Sequence, residues 1–511
     1  MKKVLLLFPN YANWATISTA IPILAGIAKK RKWKVDYFDT YRYEKIKDSS
    51  VEKESAGGFK PGFTKLEEKK QLPHKNILLD FQEKIDEFQP DILAITALSH
   101  EYEFLMSFLP EINIPKHTKI IIGGIHATLV ADDVLKTKMF DLVAVGQGEK
   151  TFEEILERVE ENQNLEGIKG TYFFDRNQDK LVRNPRRLLL NAEELWEVEQ
   201  DFSLFDEDYF IRPFDGKIIK RYDIEAARGC PFNCTYCGNS ALKKINEGLG
   251  KYVLTRPADS LFGHMKRMIK DYQIDIFQFT DECFLARPAS AIKEFMERYV
   301  KEIKKPFIFQ TRAETINEEK IKILIDSGVP FQVSIGVESG SERILGEICN
   351  RKCTANHIIN AFDLLHKYRI RCNAFFMVGF PFETREDLFK TIELCRRIKP
   401  SVSSVAIFQP LPGQELTRVC MENKFITGKE PMATFTSHSL LKMPPPYMSS
   451  EEIRNLWKTF VLYSSLPKEY YSKIEKCEKN YEANKDLFEE LIGLRWESYD
   501  YAISNDDIKL V

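Results

Sequence analysis

The sequence predicts an α/β protein built from two successive parallel sheets and a helical C-terminal region. Two stretches alternate short apolar strands with amphipathic helices, the pattern of parallel sheets covered by helices on both faces. A length of 511 residues, 43% of them hydrophobic, is enough for two or three domains. The predicted units are a doubly wound Rossmann-like domain at 1–165, a hairpin and linker at 166–220, a second strand–helix unit at 221–425 and a helical region at 426–511.

Composition and charge narrow the function classes. A net charge of −2 gives no electrostatic reason to expect nucleic acid or an anionic membrane as the main partner. Ten scattered cysteines do not form a disulfide framework, and a cluster of three of them indicates a reducing compartment. The apolar run Val4–Phe8 is short and fits a buried strand better than a signal peptide. We therefore expect a cytoplasmic protein with no transmembrane segment.

Five short strands predict the first domain. They are Val4–Phe8, Lys34–Phe38, Ile92–Thr96, Lys119–Ile122 and Leu142–Val145. The helices predicted around them are Thr19–Lys30, Leu78–Glu87, Tyr102–Leu109 and Glu149–Asn162. Residues 43–76 are polar and rich in Lys and Glu, which indicates a surface excursion. In a doubly wound sheet, ligands bind outside the carboxyl ends of the strands.

Small and polar residues follow four of these strands. They are Pro9, Asn10, Thr96, Ser99, Gly123, Gly124, His126, Gly146 and Gly148. Glycines at one sheet edge allow a ligand to approach the backbone closely. Ordinary turn glycines would give the same pattern, so from the residues alone both interpretations stay open.

The regions outside the two sheets carry weaker signals. Gly170–Phe174 and Lys180–Val182 predict a hairpin, and residues 184–220 predict an irregular linker. Two amphipathic helices are predicted near the C-terminus, at Ser450–Ser465 and Pro467–Ile492. Their aromatic stripe indicates core packing.

The cysteine loop is the most specific feature of the sequence. Cys230, Cys234 and Cys237 have the spacing Cys-x3-Cys-x2-Cys, and the next cysteine, Cys283, is distant. A cubane iron–sulfur cluster has four irons to ligate, so three thiolates leave one iron open for a substrate or cosubstrate. The alternatives are a structural zinc site or three unrelated thiols. Zinc prefers four ligands, and the sequence offers no fourth Cys or His nearby.

With the aromatic Tyr236 before its third cysteine, this loop resembles the cluster loop of radical S-adenosylmethionine (SAM) enzymes. The resemblance implies that the open iron chelates SAM and that one electron from the cluster cleaves it to a 5′-deoxyadenosyl radical. It also implies an electron donor such as flavodoxin or ferredoxin. Six predicted strands then resemble the partial (β/α)6 barrel of that family: Asp223–Ala227, Ile274–Thr280, Phe307–Thr311, Gln332–Val337, Asn373–Val378 and Ser404–Phe408.

The resemblance assigns SAM contacts to the ends of these strands, where parallel barrels place functional residues. Asp281 and Glu282 would face the amino group, and Arg312 the carboxylate. Ser334 and Glu338 would face the ribose or methionyl end, and Gly379 would admit the adenine.

The first domain resembles the cobalamin-binding domain of one large subclass, most specifically in its Gly-Gly-x-His-Ala-Thr segment at 123–128. The resemblance makes the small and polar strand-end residues cobalamin contacts. The sequence departs from many cobalamin proteins, however, because none of its eight histidines lies in an Asp-x-His-x-x-Gly motif. We therefore expect His126 to lie near the corrin or its tail and not on cobalt.

These resemblances imply a cobalamin-dependent radical SAM enzyme with a 4Fe-4S cluster, SAM and cobalamin as cofactors. The simplest reaction is methylation of an unactivated carbon in a small-molecule, lipid or peptide substrate. Two alternatives stay open: a non-methylating radical reaction such as oxidative cyclisation or rearrangement, and a cobalamin-binding sensor or interaction protein.

Overall fold

The structure is a computed structural model that describes residues 1–10, 16–41, 43, 76–214 and 217–505, with side chains to residue 497. The polar excursion predicted for 43–76 lies outside these residues, apart from its two end positions. Both predicted parallel sheets are confirmed, and each contains seven strands. Within the described residues, no helix has the length and apolar character that crossing a membrane requires.

The first sheet has the order β2-β1-β3-β4-β5-β6-β7. Its strands are β1 (Lys3–Phe8), β2 (Lys34–Asp39), β3 (Ile92–Thr96), β4 (Lys119–Gly123), β5 (Leu142–Ala144), β6 (Thr171–Asp175) and β7 (Lys180–Arg183). Strands β1 to β5 are parallel in the flavodoxin-like order. Leu5 and Leu93 pack into one core, whereas Leu6 and Ile92 pack into the other. Burial on both faces explains why these strands are apolar throughout.

Among the described residues of this domain, six helices cover the sheet. They are α1 (Ala20–Lys30), α2 (Ile77–Phe88), α3 (Ser99–Met106), α4 (Ile125–Leu129), α5 (Ala131–Lys136) and α6 (Glu149–Glu160). The predicted hairpin also belongs to this sheet, because β6 pairs antiparallel with β5. The sheet therefore continues past residue 165, and β6 covers the edge that β5 would otherwise expose.

The linker is more regular than predicted. Residues 184–220 include α7 (Ala192–Trp196), β8 (Ile211–Phe214) and the first part of β9 (Lys217–Ile224), which forms an antiparallel pair with β8. The first barrel strand thus begins at Lys217 and not at Asp223. Lys217 and Lys220 lie in the part of β9 that pairs with the edge strand β8, and Arg221 follows them, so the apolar signal of a buried strand is missing.

The second sheet has the order β16-β15-β14-β13-β12-β9-β8 and is parallel from β9 to β16. Its remaining strands are β12 (Ile276–Phe279), β13 (Phe307–Arg312), β14 (Phe331–Glu338), β15 (Cys372–Val378) and β16 (Val402–Ile407). A separate two-stranded sheet pairs β10 (Ala227–Arg228) with β11 (Leu254–Thr255). The helices of this half are α8 (Gly238–Ile245), α9 (Ala258–Tyr272), α10 (Ala289–Glu302), α11 (Glu318–Asp326), α12 (Ala355–Lys367), α13 (Arg385–Ile398) and α14 (Glu415–Glu422).

Three helices form the C-terminal region: α15 (Ser450–Ser465), α16 (Tyr471–Lys479) and α17 (Lys485–Asn505). Helix α15 has the predicted bounds and packs on the barrel, where the Trp457 indole donates to the Val405 carbonyl at 2.9 Å. The single helix predicted at Pro467–Ile492 is interrupted at Asn480. The Asn480 side chain accepts a hydrogen bond from the Ala483 N–H, an Asn-based turn that competes with the helix.

Gly26 marks the tightest contact between α1 and the linker. A Cβ atom at Gly26 would lie 1.8 Å from the Glu199 carbonyl oxygen. Gly263, inside α9, has nothing within 4 Å of its own Cβ position. The two helix glycines thus differ in whether an added methyl group has space.

We expect Gly26→Ala to destabilise the protein by roughly 1–3 kcal/mol, because the linker backbone must move away from α1. The matched change Gly263→Ala should instead stabilise it by about 1 kcal/mol, the ordinary helix preference for alanine. Urea unfolding followed by circular dichroism measures both. Equal effects of the two changes would contradict this account of Gly26.

Candidate active site between the two sheets

A cavity of about 470 Å³ lies where the carboxyl-terminal edges of the two sheets face each other. Its first-domain wall includes the predicted strand-end residues Thr96, Gly123, Gly124, Gly146 and Gly148. Its barrel wall includes Glu225, Arg228, Gly229, Thr280 and Glu282, which surround the beginning of the cysteine loop. The cavity therefore joins two groups of candidate residues that are far apart in the sequence.

A larger cleft of about 730 Å³ lies along α1, α6 and residues 194–203. None of the three loop cysteines lines this cleft or the cavity of about 470 Å³, but Arg228 and Gly229 of the loop line the cavity. Two ion pairs lie in the cleft, Lys29 with Asp201 at 2.5 Å and Arg267 with Glu199 at 2.9 Å. Because the cavity reaches the cysteine loop and the cleft does not, the cavity is the better candidate for the chemistry.

Two glycines of the first-domain edge have a backbone conformation that suits glycine. Gly124 has φ +98°, and a Cβ there would lie 2.7 Å from the Ala97 carbonyl oxygen. Gly146 has φ +96°, and its N–H donates to the Thr128 hydroxyl at 3.1 Å. Any other residue at these two positions would have a strained backbone, so this edge requires glycine there.

His126 and Ser99 lie together behind the cavity wall. The His126 Nδ1 is 3.0 Å from the Ser99 hydroxyl, and its ring stacks on Tyr102 with centroids 4.2 Å apart. Burial lowers the pKa of His126 to about 4, so the imidazole is neutral at pH 7. Pro9 and Asn10 are buried at the end of β1, and the Asn10 carbonyl accepts from the Thr40 hydroxyl at 2.9 Å. None of these four predicted residues lines the cavity.

The cysteine loop lies directly after β10. Cys234 is buried, whereas Cys230 and Cys237 are partly buried, and all three are free thiols. Burial raises the pKa of Cys230 to about 12 and that of Cys237 to about 11, so both are protonated thiols unless a metal stabilises the thiolates.

Across the part of the chain that the structure describes, no three His, Cys, Asp or Glu side chains gather around a single metal-ion position. A mononuclear zinc site places its ligands around one ion, whereas the thiolates of a cubane bind separate irons.

A network of charged side chains lies beside Cys234. The Arg312 Nη1 lies 3.4 Å from the Cys234 sulfur, and the Arg312 guanidinium lies 3.8 Å from the centroid of the Phe232 ring. Arg312 also forms an ion pair with Glu314. Arg351 reaches Glu338 at 3.1 Å and Glu314 at 3.6 Å. The Arg312 Nε is buried without a hydrogen-bond partner in the described structure. Such groups are costly unless a ligand satisfies them.

Glu338 owes its position to a local irregularity of β14. Its φ is +65°, and the pairing of β14 with β15 shifts register between Gly336 and Glu338. A bulge of this kind re-aims a side chain. Burial raises the pKa of Glu338, although Arg351 opposes this shift. Tyr236 joins the same group, because Arg351 Nη1 lies 3.4 Å from its hydroxyl.

The two acidic residues after β12 are placed differently. Asp281 accepts from the Ala226 and Ala227 N–H groups at 2.7 and 3.0 Å and pairs with Arg287, so both of its oxygens are used within the strand end. Glu282 lines the cavity, and burial raises its pKa. Of the pair, Glu282 faces the cavity, and its carboxylate has a hydrogen bond with the Asn239 side chain.

Ser334 lies on β14, and Gly379 directly follows the carboxyl end of β15. Ser334 is buried on β14, in register with Gln310 and Asn373 on the neighbouring strands. Gly379 has φ +78°, and a Cβ there would lie 2.8 Å from the Ile453 side chain of α15. Packing against α15 already accounts for this glycine. Neither residue lines the cavity.

Two ion pairs of Arg228 were not predicted from the sequence, and the one with Glu149 joins the two walls. Arg228, two residues before Cys230, reaches Glu149 at 2.9 Å and Glu225 at 3.0 Å. Glu149 is 6% exposed, and its Oε2 lacks a hydrogen-bond partner in the described structure. The only sequence signals were the position of Glu149 directly after Gly148 and that of Arg228 in the cysteine loop.

Comparison with known proteins agrees with this architecture. The radical SAM superfamily model matches residues 224–395, and the B12 binding domain model matches residues 70–156. An uncharacterized methyltransferase of Pyrococcus horikoshii is 26% identical over 394 residues, 76% of this chain and 82% of the relative. An anaerobic magnesium-protoporphyrin IX monomethyl ester cyclase of Rubrivivax gelatinosus is 25% identical over 356 residues, 66% of this chain and 59% of the relative.

A solved structure supports the fold. TsrM, a radical SAM methyltransferase from Kitasatospora setae with cobalamin and a 4Fe-4S cluster bound, matches with a TM-score of 0.60 at 14% identity. The match covers 83% of this chain and 75% of TsrM. At this identity the likeness concerns the fold alone.

The fold and site define an α/β enzyme in which a doubly wound cofactor domain faces the cluster loop of a partial barrel. More particularly, the chain carries a radical SAM domain and a B12-binding domain, and these two domains imply a 4Fe-4S cluster, SAM and cobalamin as cofactors.

The residues present fit these cofactors. An apolar part of the cavity lies between α1, α6 and the sheet, and this part suits the aromatic tail of cobalamin. The residues that line it are Ile23, Leu24, Ile121, Phe152 and Ile155. The partnerless Arg312 Nε beside Cys234 suits the carboxylate of SAM.

We expect His126→Ala to leave cobalamin bound with only a modest loss of affinity, because His126 lies behind the cavity wall. The absorption spectrum of bound cobalamin and the electron paramagnetic resonance (EPR) spectrum of its cob(II)alamin form should indicate no protein nitrogen on cobalt. A nitrogen hyperfine splitting that disappears in the variant would show instead that His126 is an axial ligand.

Proposed function

We propose that this chain is a cobalamin-dependent radical SAM methyltransferase that acts on an unactivated carbon. The observation that carries the proposal is the cavity lined by the glycine edge of the first sheet and by Arg228 and Gly229, which lead into the loop of Cys230, Cys234 and Cys237. Radical methylation requires the methyl carrier and the radical source to reach one substrate carbon. The similarity to a P. horikoshii methyltransferase supports this choice.

The chain's own residues supply binding and orientation, whereas the cofactors supply the hard chemistry. When bound, the cluster provides the electron that cleaves SAM, and cobalamin carries the methyl group. In our proposal Cys230, Cys234 and Cys237 hold three irons, and Arg312 and Glu282 orient the carboxylate and amino groups of SAM. Glu338 faces the methionyl end or the ribose, held there by Arg351.

The same site must protect a radical from water and from the protein. Phe152 and Leu24 contribute apolar surface on the first-domain side of the cavity, and Tyr252 and Leu242 on the barrel side. Excluding water from the space between the walls favours transfer to the substrate over side reactions. We propose a small-molecule, lipid or peptide substrate and an electron-transfer protein such as flavodoxin or ferredoxin as donor.

One comparison favours a second candidate. The relative from Rubrivivax gelatinosus is a cyclase, so oxidative cyclisation without methyl transfer is an alternative outcome. The products separate the two: methylation yields S-adenosylhomocysteine together with 5′-deoxyadenosine, whereas cyclisation yields only the latter. A sensor would make neither product.

We expect the anaerobically reconstituted chain to bind about four irons, as a cubane requires, and to release 5′-deoxyadenosine from SAM under reduction. The triple change of Cys230, Cys234 and Cys237 to Ala should abolish both, because no spare ligand remains. Cys477→Ala, in α16 far along the chain, serves as the control and should keep both. A four-iron EPR signal in the triple variant would refute the ligand assignment.

A further inference from the structure

The segment after β14 contains an unusual turn. Residues Ile344–Ile348 form a π-helical turn, in which the Cys349 N–H donates to the Ile344 carbonyl at 2.9 Å. The turn ends at Asn350, whose φ is +53°. π-turns are rare and occur frequently at functional sites. The carbonyls of Ile348 and Cys349 lie at the C-terminal end of the turn, where carbonyls have no partner within the helix and can accept other hydrogen bonds.

The cysteine loop supplies the donors for these carbonyls. The Thr235 hydroxyl donates to the Ile348 carbonyl at 2.5 Å, and the Thr235 N–H donates to the Cys349 carbonyl at 3.2 Å. Thr235 is the residue directly after Cys234. The π-turn therefore holds the loop at a point between two of the cluster cysteines.

Two further hydrogen bonds fix the same part of the loop. The Asn350 side-chain amide donates to the Asn233 carbonyl at 2.9 Å, on the other side of Cys234. The Leu416 N–H, in the first turn of α14, donates to the Thr235 carbonyl at 3.0 Å. Both chain neighbours of Cys234 are thus held by segments outside the loop.

The direction of the Thr235 N–H has a chemical consequence. N–H groups that donate to cluster sulfurs stabilise the more negative, reduced cluster and so raise its reduction potential. The Thr235 N–H is engaged by Cys349 and is withheld from the cluster. Reductive cleavage of the SAM sulfonium group needs a strongly reducing cluster, so such withholding favours the reaction.

We propose that Thr235 and Asn350 are positioning residues that clamp the cluster loop onto the π-turn and keep the cluster potential low. The inference rests on the proposed assignment of Cys230, Cys234 and Cys237 to the cluster. It assigns no direct contact with SAM or substrate to either residue.

The variants distinguish the effect of losing the Thr235 hydroxyl group from the effect of changing side-chain size. Thr235→Val removes the donor at nearly constant volume, and Thr235→Ser restores it. Asn350→Asp removes the amide donor at a position whose positive φ aspartate tolerates. The matched control is Thr459→Val in α15, because the buried Thr459 hydroxyl also donates to a backbone carbonyl, that of Asn455 at 2.9 Å.

Each full-length variant is reconstituted, and its iron content, the EPR spectrum of the reduced cluster and the potential from a redox titration are compared with the parent. We expect Thr235→Val and Asn350→Asp to show a less negative potential and an altered EPR spectrum. Thr235→Ser and Thr459→Val should match the parent.

A parent-like potential and spectrum in Thr235→Val would overturn the clamp. If that variant takes up no cluster, Asn350→Asp decides: a less negative potential supports the clamp, and the parent value overturns it. A parent chain that binds no cluster would instead overturn the cysteine assignment under the proposed function, so the two failures are distinguishable.

Discussion

The site depends on one interaction, the ion pairs of Arg228 with Glu149 and Glu225. Glu149 follows the last parallel strand of the first sheet, and Arg228 leads into the cysteine loop of the second. Burial alone would lower the pKa of Arg228, but the two carboxylates raise it, so the guanidinium stays charged. Removing one partner from a buried pair costs several kcal/mol, because a charge is left without its counterion. The pair therefore fixes the distance between the two cofactor-binding edges.

Parallel topology makes this arrangement possible. All strands of a parallel sheet end at one edge, where free backbone groups and loop side chains collect. Two such edges face each other here, and the cavity of about 470 Å³ lies between them. The barrel side is further organised by Arg351, which links Glu314, Glu338 and the Tyr236 hydroxyl at the ends of different elements. The residues expected to contact the cofactors and Tyr236 of the cysteine loop thus belong to one network of ion pairs and hydrogen bonds.

The sequence predicted most of the fold, because buried parallel strands and amphipathic helices leave strong periodic signals. β3 matches its predicted bounds, and β1, β2 and β4 differ from theirs by one residue. It failed at β9, where two lysines and one arginine interrupt the apolar pattern, and at Asn480, where a side-chain turn interrupts a helix. Within the site it placed Glu282 beside the cavity. The sequence did not predict that both oxygens of the Asp281 carboxylate bond to backbone N–H groups and to Arg287. Nor did it predict that His126 packs against Ser99 behind the cavity wall.

By itself the sequence determined the class of protein: the spacing of three cysteines and the order of strands and helices are local properties of the chain. Only the tertiary structure decided which strand-end residues face one another. Arg351 lies 13 residues beyond Glu338 in the sequence, and the π-turn at Ile344–Ile348 is what returns it to that carboxylate. Contacts such as Arg228 with Glu149, or Thr235 with Ile348, join segments that are far apart in the chain. No local pattern encodes them, because they form only when the two sheets and their loops pack together.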